Sequence, residues 1–210
     1  MGVGPHEPHP KPRVYARGEG SYSEWGWGPT SPKDDMQQIE GSPKARGFRF
    51  ALIVSRYHDF VTDRLQKGAL EALEAADVIS DDVTVIKVPG AFEISAAAQR
   101  AAETRQFDAI VCLGCVIRGG TPHFEYIASA VANGITNAAA ATRVPMAFGV
   151  LTTNSVEEAL ERAGMGSANK GWEAATVAVE MATLMKRIGS TQRGSRAGDP
   201  DQRTVPGIPV

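Results

Sequence analysis

A chain of 210 residues, 42% hydrophobic and 22% charged, can fill one core of ordinary domain size with residues to spare at its ends. Its formal net charge of -2 and its lack of a dense Lys/Arg stripe exclude nucleic acid as the main partner, which would demand a basic footprint. No apolar run approaches the roughly 20 residues of a membrane helix, so a soluble protein with no membrane partner is expected.

Residues 1–35 hold six Pro and six Gly, a PHEPHPKP run and the segment EWGWGPTSP. Neither helical nor strand periodicity is present, and this stretch reads as a disordered arm. His6 and His9, separated by proline, make a poor metal cage. Trp25 and Trp27 are candidates to anchor the arm on a partner or a neighbouring subunit, because tryptophan is enriched at binding hot spots. The arm's acidic residues argue against a transit peptide, and no signal peptide is recognisable.

FRFALIVS, residues 48–55, predicts the first core strand, and residues 59–76 a helix with Phe60, Leu65, Ala69, Leu70 and Leu73 at helical spacing. Between them stands Arg56-Tyr57-His58, at the carboxyl end of a strand, where open α/β sheets bind ligands. Tyr57 offers a flat stacking face and His58 a hydrogen-bonding or acid/base group; the plainer reading is an edge aromatic and a helix cap. VTVIKV, 83–88, is the second strand, followed by Pro89-Gly90-Ala91-Phe92-Glu93 and an alanine-rich helix to about residue 104. Glu93 can accept hydrogen bonds from ligand hydroxyls or simply complement the helix dipole.

The stretch 108–126, DAIVCLGCVIRGGTPHFEY, organises the rest. Its unbroken apolar run 109–117 predicts a strand buried on both faces. Arg118, Gly119, Gly120 and Thr121 then lead into a helical pattern that opens at Pro122, a residue suited to a first helical turn. Such a strand, glycine loop and helix aims unpaired N–H groups at one spot, a ready anion site, with Arg118 and Thr121 as added donors and His123 as a candidate base. Cys112 and Cys115, the only cysteines, mimic a redox C-x-x-C. Strand residues three apart point to opposite faces, however, so core packing is the reading, and a reducing cytoplasm is the expected location.

An alanine-crowded helix follows over 124–142, its small residues suited to close packing on another helix. VPMAFGVLT, 144–152, is the fourth strand and carries Phe148; Asn154 or Ser155 caps a short helix with Glu161 and Arg162, ended by Gly164. A last helix is predicted over 168–188 with Lys170 near its start, and 189–210 reads as a disordered tail. The expected fold is therefore a flavodoxin-like α/β/α three-layer sandwich around a four-stranded parallel sheet, occupying residues 36–188. Right-handed crossovers put the strand ends on one rim, which collects Tyr57, His58, Glu93, Arg118, Thr121 and His123.

Six ordered markers, RY at 56–57, VPGAFEI at 88–94, LGCVIRGGTPHFEY at 113–126, FGVLTT at 148–153, ALERAG at 159–164 and NKG at 169–171, resemble those of the 6,7-dimethyl-8-ribityllumazine synthase family. The resemblance covers roughly residues 39–188. It implies a transferase of riboflavin biosynthesis that joins 5-amino-6-(D-ribitylamino)uracil to 3,4-dihydroxy-2-butanone 4-phosphate, releasing phosphate and water, with no metal and no organic cofactor.

Carried over residue by residue, the resemblance implies that Tyr57 stacks on the pyrimidine and that His58, Ala91, Phe92 and Glu93 meet the pyrimidine and ribityl chain. Cys115, Val116 and Ile117 line the ring largely through backbone. Gly120, Thr121 and Arg162 hold the phosphate with Lys170 as charge support, and His123 moves protons. The residue matching Phe148 reaches the pyrimidine from an adjacent subunit, which implies self-association into pentamers, or closed shells of about sixty subunits, with riboflavin synthase a further candidate partner. Many members have Phe and Asn where this chain has Tyr57 and His58, which puts the ribityl contact in question. The competing readings are a lumazine-synthase-like structural shell and a flavin- or lumazine-binding protein with little turnover.

Overall fold

The computed structural model describes residues 37–194, with backbone alone for 191–194. The arm 1–35, with His6, His9, Trp25 and Trp27, and the tail from residue 195 lie outside the described residues. The chain divides into units Met1–Gln38 and Ile39–Val210, and every element described below belongs to the second.

The elements alternate: β1 Phe50–Ser55, α1 Asp59–Ala75, β2 Val83–Val88, α2 Ile94–Glu103, β3 Ala109–Ile117, α3 His123–Thr142, β4 Met146–Thr153, α4 Val156–Arg162 and α5 Lys170–Gly194. The strands form one parallel sheet in the order β2-β1-β3-β4, with Ser55 opposite Val88 and Ile117 opposite Thr153. β1 starts two residues later than expected because Arg49 N–H turns to the Asp108 carboxylate, at 2.7 Å, instead of a strand partner. α5 runs past its expected end at Ile188 to Gly194. No proline stops it, although Gly189, Ser190 and Thr191 are weak helix formers.

Each face of the sheet carries its own core, as a strand period of two requires. Leu52, Val54, Val111, Leu113 and Cys115 pack with Leu65, Leu73, Ala175 and Val179 of α1 and α5. Ile53, Ile110 and Cys112 pack on the other face with Ile94, Ala98, Val131 and Ile135 of α2 and α3. The three layers are as predicted, and the cysteines fall on opposite faces, both buried and unpaired. Phe60 departs from its expected core role: it is exposed and sets its ring edge against His58. Among the described residues no helix is long and apolar enough to cross a membrane.

Candidate active site

The strand order reverses between β1 and β3, and an α/β sheet opens a crevice at the carboxyl ends of its strands at such a point. A cavity of about 440 Å³ lies there, lined by the loops after β1, β2 and β3 and by Val156 of α4.

The loop after β1 is braced from below. Buried Ser55 accepts from Tyr57 N–H through Oγ at 3.2 Å, and its carbonyl accepts from the buried Thr62 hydroxyl at 2.7 Å. With the backbone pinned, Tyr57 points outward, 66% exposed. His58 stands in the left-handed region, φ 61°, a conformation that His, Asn and Asp tolerate better than most residues. Its ring lies 4.4 Å from that of Tyr57 and 5.7 Å from that of Phe60, edge to face. Burial holds the His58 pKa below the ordinary 6.5, so the imidazole is neutral at pH 7.

In the loop after β2, Ala91 is buried while Phe92 and Glu93 face the cavity. A Cβ at Gly90 would stand 3.0 Å from Glu93 Oε2, so glycine leaves that carboxylate room to fold back over the loop. After β3, the Arg118 N–H donates to the Thr153 carbonyl at 2.9 Å. Nothing crowds the Cβ positions of Gly119 and Gly120, leaving the loop backbone uncovered. Thr121 and His123, the first residue of α3, complete that wall. Cys115 also lines it, but burial pushes its thiol up to about 11, leaving it protonated and unreactive.

Ten of the expected site residues therefore share this cavity: Tyr57, His58, Ala91, Phe92, Glu93, Cys115, Val116, Ile117, Thr121 and His123. Gly120 sits between Gly119 and Thr121, which line the cavity, but does not line it itself. Phe148, Arg162 and Lys170 are elsewhere on the chain, around a second cavity of about 450 Å³ against β4 and α5. The expected phosphate set is thus not brought together within one chain. Phe148 is on an edge strand and 48% exposed; Arg162 Nη1 donates to the Glu158 carbonyl at 3.3 Å, and Lys170 pairs with Glu173.

Arg118 is a further correction. Its guanidinium is not offered to the loop as an anion donor: Nη1 pairs with Glu125, Nε donates to Asn154 Oδ1 at 3.0 Å, and the charge lies 4.4 Å over the Phe124 ring. The Arg118 hydrogen bond holds the Glu125 carboxyl below its usual range. Phe124, Ile127 and Val156 also line the first cavity and escaped sequence reasoning. Phe124 and Ile127 sit in the helix whose register placed His123, whereas nothing in the chain's periodicity pointed to Val156. No group of three or more metal-ligating side chains occurs among the described residues.

Residues 47–186 match the family described as 6,7-dimethyl-8-ribityllumazine synthase. The 6,7-dimethyl-8-ribityllumazine synthase of Syntrophus aciditrophicus (strain SB) is 50% identical over 149 residues, an alignment spanning 71% of this chain and 97% of that protein.

Proposed function

Because the chain belongs to the 6,7-dimethyl-8-ribityllumazine synthase family, we propose that its two cavities are halves of a lumazine synthase active site completed between neighbouring copies. The protein is a transferase of riboflavin biosynthesis. It condenses 5-amino-6-(D-ribitylamino)uracil with 3,4-dihydroxy-2-butanone 4-phosphate to 6,7-dimethyl-8-ribityllumazine, phosphate and water. The observation that carries the division of labour is the meeting of three strand-end loops around one cavity that also contains His123.

In this reading the pyrimidine stacks on Tyr57 and runs along the Cys115 to Ile117 backbone, and Glu93 accepts from ribityl hydroxyls. His58 is neutral at working pH and can hydrogen-bond the sugar chain without adding charge. The second substrate's phosphate sits over Gly120 and Thr121. Arg162 and Lys170 of the next copy close on it with charge-assisted hydrogen bonds, and Phe148 of that copy covers the ring. His123 takes a proton from the substrate carbon during phosphate loss and shuttles protons as the imine forms. The substrate's own amine is the nucleophile, so no lysine need form a Schiff base. Placement of the two reactants side by side is the main catalytic device, an effect that can reach roughly 7 to 11 kcal/mol.

The proposed unit is a pentamer, with sedimentation deciding whether pentamers close further into a shell. The primary test is an assay of purified protein with both substrates and no added cofactor, following lumazine fluorescence and phosphate release together. Product well above the spontaneous rate is expected. Background product from a folded oligomer would reduce the protein to a binding or shell role.

A further inference from the structure

Residues 119–121, the loop between β3 and α3, make no hydrogen bond to any described residue, and their surroundings are open at Gly119 and Gly120. A loop with no bonds of its own takes its shape from what holds its two ends. The near end is Arg118, whose N–H continues the sheet ladder to Thr153 at 2.9 Å. The far end is the first turn of α3, where Glu125 stands two residues past His123. The Arg118 side chain bridges these ends directly by pairing with Glu125.

The same guanidinium has a third anchor. Its Nε donates to Asn154 Oδ1 at 3.0 Å, in the turn between β4 and α4. Asn154 is itself oriented, because its backbone N–H donates to Glu158 Oε2 at 3.0 Å. Stacking of the guanidinium over Phe124, 4.4 Å from the ring centroid, presses on a residue that lines the first cavity. Three directions of contact define the position of α3's first turn relative to the sheet and to α4.

From this geometry we infer that Arg118 is a positioning residue: it acts as a strap across the glycine loop, setting Thr121 and His123 against the ligand without touching it. The inference rests on the proposed lumazine synthase site and assigns it a determinant outside the cavity wall. Both members of the Arg118–Glu125 pair are about half exposed, and exposed pairs contribute little to global stability. Loss of the strap is therefore felt in loop placement more than in folding. The tyrosine and glutamate walls rest on other loops, and the Cys115 to Ile117 backbone is held by its pairing with β4 from Leu151 to Thr153, so the pyrimidine end of the site does not depend on the strap.

The test compares full-length wild type with Arg118→Ala, Arg118→Lys, Asn154→Ala and the Arg118→Ala/Asn154→Ala double variant. Arg118→Ala is expected to lower kcat/KM about ten- to a hundred-fold, the range that a displacement of about 1 Å commands. Its KM for the phosphate-bearing substrate rises, affinity for the pyrimidine stays within about two-fold, and Tm moves by no more than about 3 °C. Lysine restores only part, since one ammonium cannot bond Glu125 and Asn154 in a planar fork while stacking on Phe124. Asn154→Ala shifts the same KM, and the double variant is no worse than Arg118→Ala alone.

Amide exchange at Glu125, whose N–H closes the first turn of α3 on the Pro122 carbonyl at 3.2 Å, faster in Arg118→Ala than in wild type, reads the strap even without turnover. Unchanged exchange, or unchanged kinetics in a wild type that turns over, would overturn the inference. So would a loss shared equally by pyrimidine affinity and Tm, which is the mark of general damage. A wild type that makes no product while exchange still responds sinks the enzymatic reading and leaves the strap standing.

Discussion

Gly171 touches Leu65 backbone to backbone: a Cβ on Gly171 would lie 2.0 Å from the Leu65 carbonyl oxygen. Here α1 and α5, which pack on the same face of the sheet, meet closely. Gly171→Ala must push them apart and open the core beneath, so it is expected to destabilise the protein by about 3 kcal/mol. A urea midpoint unchanged from wild type would show that the helices part freely.

Asn169 locks the same corner. It is 2% exposed; Nδ2 donates to the Arg64 carbonyl at 3.0 Å and the Gly164 carbonyl at 2.7 Å, while Oδ1 accepts from the N–H groups of Gly171 at 2.7 Å and Trp172 at 3.3 Å. Asn169→Ala strands the Gly164 carbonyl and the Gly171 and Trp172 N–H groups, takes the second donor from the Arg64 carbonyl, and should cost about 2 to 4 kcal/mol. Asn169→Asp should do no better, because an acceptor-only carboxylate would face two carbonyls. Denaturant melts of the pair check this; rescue by aspartate would show that capping of α5 alone matters.

His123→Ala should lower kcat about a hundred- to ten-thousand-fold, the range of a lost acid/base group. Pyrimidine affinity, set by the Tyr57 and Glu93 loops, should barely change. Steady-state kinetics with a fluorescence titration of the pyrimidine separates the two, and an undiminished kcat removes His123 from proton transfer.

His58 carries a pH dependence of definite sign. Burial lowers its folded pKa below 6.5, so above that pH the ring is neutral in both folded and unfolded chains and costs nothing. As pH falls through 6.5 toward the folded value, the unfolded chain takes up a proton that the folded one refuses, and stability drops until both are protonated. His58→Asn, which keeps a side chain tolerant of the left-handed backbone, should lose less stability between about pH 7.5 and about pH 5 than wild type. Equal slopes in chemical denaturation would show that another group carries the effect.

The strand bounds Val83–Val88 and Ala109–Ile117 were legible residue by residue, because each apolar run meets a turn signal at both ends. The apolar run of the fourth strand opens at Val144, yet pairing begins at Met146, since Pro145 has no N–H to give and only its carbonyl joins the ladder, accepting from Ile110 N–H at 2.9 Å. Within the site, the loop residues could be placed because parallel topology puts every strand's carboxyl end on one rim. The partners of Arg118 could not: Asn154 lies 36 residues away, and no periodicity links a loop arginine to a turn in another crossover. For the same reason Arg162 and Thr121 looked like neighbours in a list of phosphate ligands, although on a single chain they line different cavities.

That separation of cavities has a genetic side. Each copy in the proposed assembly supplies one wall to its own site and another wall to a neighbour's. A chain faulty at both His123 and Arg162 therefore poisons two sites whenever it is incorporated. In randomly mixed rings made half of such chains, only about a quarter of the sites would draw both walls from sound copies. Activity would fall as the square of the intact fraction, and such an allele would be partly dominant over the normal one.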